Sequence, residues 1–239
     1  MLPDAEVERV LVIAAHPDDA DFASAGTVAR WTREGIAVTY LLVTDGDAGG
    51  FDPDVPRADI PGIRRAEQTA AAAQAGVTDL RFLGYRDGTV EPTIGLRRDL
   101  ARVIRQVRPD RVLTHSPDRN YAFIAPSHPD HRAVGAAAID AVYPDARNPF
   151  AHPELLAEEG LAEWTVREMW LSGGPEANHA SDVTDTLPAK LAALRAHQSQ
   201  MTDPDGLTAM ITEYLAANAR DHGLPEGRYA ELFQVISTA

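Results

Sequence analysis

Two histidine-containing clusters hold the residue types that could carry chemistry in this chain. An H-P-D-D run lies at residues 16–19 and an H-P-D-H run at residues 128–131. Taken together, His16, Asp19 and His131 offer three ligands of nitrogen and oxygen type and leave a fourth position for water, which is the arrangement of a catalytic zinc site. The two clusters therefore indicate metal-assisted hydrolysis.

Two residues of these clusters would remain beside such an ion. Asp18 is a candidate general base, and His128 could donate a hydrogen bond or a proton to an oxyanion. Each cluster alone has a plainer interpretation as a helix start, where an Asp side chain accepts backbone N–H groups. Two such clusters, both following predicted strands, favour the metal site over that interpretation.

The hydrophobic pattern predicts an α/β fold. Short apolar runs predict strands at residues 10–15, 37–44, 79–83, 111–115 and 165–171. Apolar residues at helical spacing predict helices at 22–29, 64–75, 96–107 and 130–142, and two further stripes between residues 187 and 214. Strands alternating with helices imply a mostly parallel sheet with helices on both faces. The segments 144–162 and 229–236 show no decisive pattern.

Four polar residues follow four of the predicted strands. They are His16, Asp45, Asp87 and His115, and the carboxyl ends of parallel strands form the edge where α/β sheets bind ligands. We therefore expect them to converge on one rim. His115 could line a pocket or bond a backbone carbonyl, and Asp45 could hold a substrate hydroxyl, orient His16 or only form a turn.

Composition limits the classes of protein that remain. The 239 residues show no composition break, so one domain over residues 1–239 is expected. There is no cysteine, which excludes thiolate metal sites and thiol catalysis. The net charge of −14 argues against nucleic acid or an anionic membrane as partner. No apolar run approaches the roughly 20 residues of a membrane span, and no signal peptide is evident, so a cytoplasmic protein is expected.

The motif A-H-P-D-D at residues 15–19, followed by H-P-D-H-R-A at 128–133, resembles the zinc-dependent N-deacetylases of the PIG-L/LmbE-like family. The resemblance continues through residues 64–77, 82–88 and 112–121, and through a late segment at 190–200. Members of this family remove acyl groups from glucosamine-containing substrates, including those of the glycosylphosphatidylinositol, mycothiol and bacillithiol pathways. The resemblance implies a Rossmann-like fold and hydrolysis of an N-acyl amino sugar or a related amide.

The resemblance also implies the metal and its main catalytic partner. Zinc would be bound by His16, Asp19 and His131, although related sites can accept Fe²⁺ or other divalent ions. Asp18 would activate the water bound to the metal and later protonate the leaving amine.

Four further residues receive roles from the same resemblance. A cationic His128 would stabilise the tetrahedral oxyanion, and Asp130 would orient His128. Arg64 and Asp87 match positions that contact the sugar or its substituent in relatives.

The chain departs from the family pattern at two places. Many relatives have a glutamate directly after the first motif, where this chain has Ala20 followed by Asp21. Mycothiol-type relatives have a tyrosine two positions before the histidine that matches His128, and here that position is Pro126. Tyr121 lies in the same loop and could replace that tyrosine. The resemblance also includes His197, which we expect to be a packed core histidine.

Two other functions remain open from the sequence. Clustered Asp residues also suit Mg²⁺, so a metal-dependent phosphoesterase is one alternative, although two imidazoles favour zinc. A non-catalytic sugar-binding module on the same scaffold is the other. In each case the partner is a small molecule, and self-association is a further expectation because relatives often form homo-oligomers.

Overall fold

The computed structural model describes residues 1–238, and its centre is a seven-stranded sheet. The strands are β1 (Arg9–Ala14), β2 (Ala37–Thr44), β3 (Asp79–Tyr85), β4 (Arg111–His115), β5 (Glu168–Ser172), β6 (His179–Asp182) and β7 (Ala230–Ser237). Their order in the sheet is β3-β2-β1-β4-β5-β7-β6. Strands β1 to β5 pair in parallel, whereas β7 pairs antiparallel with both β5 and β6.

The strand order places a topological switch point between β1 and β4. From β1 the chain adds β2 and β3 on one side, and it then returns to add β4 and β5 on the other. At such a point the loops after the two central strands diverge and leave a crevice at the carboxyl edge of the sheet. The residues that follow β1 and β4 therefore meet in that crevice.

Helices cover both faces of the sheet. The helices are α1 (Asp19–Arg33), α2 (Ile60–Gln74), α3 (Ile94–Val107), α4 (Pro129–Asp140), α5 (Pro153–Ala157), α6 (Leu187–Ala196) and α7 (Pro204–Asp221). Leu11 and Ile13 of β1 pack on the face of α3 and α4, and Val10 and Val12 pack on the face of α1 and α2. Because both faces of β1 are buried, its sequence is continuously apolar.

The predicted α/β class, with its mostly parallel sheet and helices on both faces, is confirmed. The ambiguous tail forms β7, and the short polar strand β6 was not predicted. The segment 144–162, which showed no pattern, contains the end of a π-helical turn (Ala141–Ala146) and α5. Among residues 1–238, no helix has the length and apolar character needed to cross a membrane.

Candidate metal centre

The crevice between β1 and β4 brings together side chains from the carboxyl ends of β1, β3 and β4 and from the start of α4. Nε2 of His16 lies 3.2 Å from Oδ1 of Asp87, which follows β3, and 3.2 Å from Oδ2 of Asp130, in the first turn of α4. Nε2 of His115, at the end of β4, lies 3.4 Å from Oδ2 of Asp19. The two sequence clusters, 112 positions apart between His16 and His128, therefore form one site.

Asp19 joins the two histidines expected to bind metal. Its Oδ2 lies 3.2 Å from Nδ1 of His16, and its Oδ1 lies 3.0 Å from Nε2 of His131. The other ring nitrogen of each histidine has a different partner: Nε2 of His16 faces Asp87 and Asp130, and Nδ1 of His131 faces the Pro126 carbonyl at 3.1 Å. A carboxylate or carbonyl on the far nitrogen is how proteins orient a metal-binding imidazole.

Three groups of side chains in the described part of the chain have donor atoms close enough to share an ion. They are His16, His128 and His131; Asp19, His115 and His131; and His16, Asp87 and Asp130. The first group shares His131 with the second and His16 with the third. All of their donors are imidazole nitrogens and carboxylate oxygens, a set that suits zinc and other divalent transition metals.

Two of these residues are less suited to bind a metal, because their donor atoms already accept backbone hydrogen bonds. Nε2 of His115 accepts the N–H of Ala15 at 3.1 Å, so its lone pair is occupied. The carboxylate of Asp130 accepts the N–H groups of Gly88 at 2.7 Å and Val90 at 3.2 Å. The nitrogens that face Asp19, in His16 and His131, have no such backbone donor among residues 1–238.

The charge around His16 favours a bound cation. Burial alone would lower the pKa of this imidazole, but the charge of Asp19 and hydrogen bonds to Asp130, Asp19 and Asp87 raise the pKa to about 12. Three carboxylates thus surround one ring that is 8% exposed. A divalent ion would supply the positive charge that these carboxylates stabilise.

Asp18 occupies an uncommon backbone conformation beside the candidate metal ligands. Its φ of 91° and ψ of −31° lie outside the regions that residues with a side chain normally adopt. Such conformations persist only where surrounding contacts enforce them, and they concentrate at functional sites. The carboxylate of Asp18 accepts a hydrogen bond from Nη2 of Arg64 at 3.0 Å.

The environment of Asp18 suits a residue that exchanges protons near neutral pH. Burial and the neighbouring charge of Asp19 raise the pKa of Asp18 to about 7, against the opposing effects of Arg64, His197 and His16. General acid–base catalysts work best when their pKa lies near the working pH. A bound divalent cation would lower this pKa and favour the carboxylate, which is the form that accepts a proton.

The electrostatics and contacts of the second cluster bear on the roles expected for His128 and Asp130, which stay predictions. Partial burial, and the positive charge that His16 and His131 carry when protonated, lower the pKa of His128. The Asp130 carboxylate contacts His16, whereas its backbone N–H donates to Nδ1 of His128 at 3.2 Å. Because Nδ1 accepts, a neutral His128 carries its proton on Nε2 and can still donate a hydrogen bond from there.

Arg64 is packed against the glycine-rich loop that follows β2. The residue is 3% exposed, and its Nη2 also donates to the carbonyl of Pro17. A Cβ at Gly49 would lie 2.2 Å from Nη1 of Arg64. A side chain at this position would therefore require the guanidinium to move. Whether Arg64 also contacts substrate stays a prediction.

Two aspartates of the same loop have partners other than the metal ligands. Asp45 forms two hydrogen bonds of 2.8 Å with Arg65. Oδ1 of Asp47 accepts the N–H of Asp87 at 2.9 Å, and Oδ2 of Asp87 accepts the N–H of Ala48 at 3.1 Å. Asp47 thus helps to position Asp87, while Asp45 is paired with Arg65.

A cavity of about 650 Å³ is lined by Pro126 and by none of His16, Asp19 and His131. Pro126, whose carbonyl holds His131, lines the cavity together with Gly173, which follows β5. Phe123 and Tyr214 contribute aromatic rings whose centroids are 6.3 Å apart. Tyr121, the possible replacement for the tyrosine of mycothiol-type relatives, is 84% exposed.

The helix that presents His128 and His131 is seated closely on β4 at Gly135. A Cβ at this position would lie 2.4 Å from the carbonyl oxygen of His115 and 3.1 Å from the nitrogen of Pro117. Both are backbone atoms, so α4 must move as a unit to admit a side chain. We expect Gly135→Ala to lower the free energy of unfolding by about 1–3 kcal/mol, the usual cost of overpacking, and to weaken metal binding because His131 moves with α4.

Thermal melting and metal titration of the purified variant test this expectation. Gly95→Ala in α3 is the matched control, since a Cβ there meets nothing closer than Thr93 Oγ1 at 3.7 Å. Equal melting temperatures for Gly135→Ala and the parent protein would show that α4 is not seated as closely as described.

The chain belongs to the PIG-L family. The model of that family, described as GlcNAc-PI de-N-acetylase, matches residues 11–142, which is more than half of the chain and includes both histidine clusters. The family resemblance of the motifs is therefore confirmed.

Similar proteins include deacetylases from archaea and bacteria. The chain is 33% identical to diacetylchitobiose deacetylase of Thermococcus kodakarensis, over 96% of this chain and 83% of that protein. It is 34% identical to a probable N-acetyl-alpha-D-glucosaminyl L-malate deacetylase 2 of Bacillus anthracis, over 86% of each. Among solved structures, N,N'-diacetylchitobiose deacetylase from Pyrococcus horikoshii superposes with a TM-score of 0.89 at 30% identity, covering 98% of this chain and 85% of that one.

Proposed function

We propose that this protein is a zinc-dependent N-deacetylase that hydrolyses the amide of an N-acetyl amino sugar. The observation that carries the proposal is the arrangement around Asp19, whose two oxygens face a ring nitrogen of His16 and of His131. Asp18, with its pKa raised to about 7, lies next to that arrangement. The deacetylase names of the similar proteins support the same chemistry.

We assign the metal to Nδ1 of His16, a carboxylate oxygen of Asp19 and Nε2 of His131. These nitrogens are the ones left free by the partners of the other ring positions. Two imidazoles and one carboxylate favour zinc over magnesium. When bound, the ion polarises the acyl carbonyl and makes a water molecule acidic enough to act as a nucleophile near neutral pH.

The protein's own residues then handle the protons of amide hydrolysis. Asp18 accepts a proton from the attacking water, and the new C–O bond forms at the acyl carbon. As the C–N bond breaks, Asp18 returns this proton to the nitrogen, which leaves as a free amine. The acyl group leaves as a carboxylic acid, which loses the second proton of the water to solvent and becomes the carboxylate. Nε2–H of His128 donates to the oxyanion of the tetrahedral intermediate. Arg64 holds Asp18, and Asp87 and Asp130 hold His16.

The substrate class follows from the relatives and from the space beside the centre. The similar proteins are named for N-acetylglucosamine-type substrates, two of them for the disaccharide diacetylchitobiose. The cavity next to Pro126 provides room for the part of the substrate beyond the amino sugar. We place the acetyl group at the metal centre and the remainder of the substrate toward Phe123 and Tyr214.

The proposal also covers domain organisation, location in the cell and partners. We propose a single domain that acts on small molecules in the cytoplasm, without nucleic acid or membrane partners, in keeping with the charge of −14. Assembly into homo-oligomers stays a prediction.

The direct test is release of amine and acetate by the zinc-loaded protein. N-acetylglucosamine, N,N'-diacetylchitobiose and N-acetylglucosaminyl malate would be supplied in parallel, with p-nitrophenyl phosphate as the substrate for the phosphoesterase alternative. We expect equal amounts of amine and acetate from at least one N-acetyl sugar and no phosphate release. Phosphate release without deacetylation would overturn the proposal, and sugar binding without hydrolysis would favour the binding-module alternative.

A further inference from the structure

The strained backbone of Asp18 is held by a residue of α2. The N–H of Asp18 donates to Oε1 of Gln68 at 2.8 Å. Gln68 is fully buried and lies one helical turn after Arg64, which binds the Asp18 carboxylate. Residues four apart on a helix lie on the same side, so α2 holds Asp18 at two points, through its backbone and through its side chain.

Gln68 is itself oriented by a buried carboxylate. Its Nε2 donates to Oδ2 of Asp21 at 2.8 Å, and the same oxygen lies 2.8 Å from Nε2 of His197. Asp21 is 0% exposed and His197 is 1% exposed. Because the amide must donate to Asp21, it is fixed in the orientation that turns Oε1 toward the N–H of Asp18. These contacts form a continuous hydrogen-bond network that runs from His197 through Asp21 and Gln68 to Asp18.

The His197 end of this hydrogen-bond network is held in place by the segment after α6. Ser199 donates through its backbone N–H at 2.6 Å and its hydroxyl at 2.7 Å to the Glu67 carboxylate, on α2. His197 and Ser199 therefore tie the same segment to both α1 and α2. This contact gives the late H-Q-S-Q stretch a structural connection to Asp18, although none of these contacts is with a metal-binding side chain.

This hydrogen-bond network lowers the stability of the fold if its energy is considered alone. Oδ1 of Asp21 and Nδ1 of His197 are buried without a hydrogen-bond partner among the described residues. Buried polar groups that lack partners destabilise a fold, and apolar replacements of similar volume are often neutral or better. A purely structural role does not account for such a group beside a strained residue, whereas a positioning role does.

We propose that Gln68 is a positioning residue for catalysis, which fixes the Asp18 backbone in its strained conformation and is itself oriented by Asp21 and His197. This inference rests on the proposed role of Asp18 in proton transfer. Without Gln68 the N–H of Asp18 loses its acceptor, and the backbone can relax toward an ordinary conformation that moves the carboxylate. Displacements of about 1 Å at a reacting group can reduce a rate by about a hundredfold.

Gln68→Met tests the proposal because methionine has a similar volume but can neither accept from Asp18 nor donate to Asp21. We expect kcat for the best N-acetyl sugar to fall at least about tenfold, with KM within about threefold of the parent value and the metal content unchanged. Gln74→Met is the matched control, since it makes the same substitution at an exposed site on the same helix. Parental kcat in the folded, metal-loaded Gln68→Met variant would overturn the proposal, as would a loss explained entirely by loss of metal.

Variants at Asp21 provide an independent check if Gln68→Met folds poorly. Asp21→Asn can keep its oxygen at the position that Gln68 and His197 share, so we expect kcat close to the parent value. Asp21→Ala removes that acceptor and should lower kcat to a similar extent as Gln68→Met. Equal kcat values for Asp21→Asn and Asp21→Ala would contradict the proposed role of this hydrogen-bond network.

Asp18→Ala, measured in the same assay, distinguishes the proposed role of Asp18 from the proposed role of Gln68. If Asp18→Ala retains activity, the proposed function of Asp18 fails and this inference fails with it. If Asp18→Ala is inactive while Gln68→Met and Asp21→Ala keep parental kcat, only the positioning role of the hydrogen-bond network is wrong.

Discussion

Asp18→Ala is expected to keep its metal and lose almost all turnover. The side chain of Asp18 is the proton carrier in the proposed reaction, and it is not one of the three assigned metal ligands. General bases contribute typically about 10²–10⁴-fold to a rate, so kcat should fall by that order. The measurement pairs kcat for an N-acetyl sugar with zinc content by elemental mass spectrometry.

Two comparisons make the Asp18→Ala experiment specific. Asp54→Ala, which makes the same change at an exposed site in the loop after β2, should retain full activity. Asp18→Asn keeps the size of the side chain and an acceptor for Arg64 but cannot take up a proton, so it should be as inactive as Asp18→Ala. A metal-loaded Asp18→Ala variant with more than about a tenth of the parental rate would remove Asp18 from the role of base.

Removal of the metal is expected to abolish activity reversibly. The ion supplies several kcal/mol of stabilisation to a developing oxyanion, so a chelator-treated protein should turn over at least about a hundredfold more slowly. Zinc added back to about one equivalent should restore the rate, and magnesium should not, because two imidazole ligands favour zinc. Undiminished activity in protein shown to be metal-free would contradict a metal-dependent reaction.

The central part of the fold could be predicted from sequence because it is buried on both faces. Strands such as β1 and β2 are continuous apolar runs, and the polar residues directly after them mark the sheet edge. Strand β6, His-Ala-Ser-Asp, has four residues and only one of them is buried. It has neither an apolar run nor a clear alternation, and only its pairing with β7 defines it as a strand.

The candidate site could be predicted where chemistry depends on residue type, and less well where it depends on distant partners. His16, Asp19 and His131 stand out because few side chains bind metals. The actual partner of Asp130 could not be deduced, since its contact with His16 depends on how the loop at Gly88 meets α4. Gln68 lies in the family-like segment 64–77 and four positions after Arg64, but it was not singled out, because a lone glutamine in an alanine-rich helix is usually a surface residue.

Metal content of the parent protein and of His131→Ala, both purified without added metal, tests the central claim most directly. The claim is that two clusters far apart in sequence form one metal site. We predict about one equivalent of zinc in the parent, almost none in His131→Ala, and the parental amount in His222→Ala, a control at an exposed histidine. Equal metal in the parent and in His131→Ala would show that His131 is not a ligand and would contradict the proposed site.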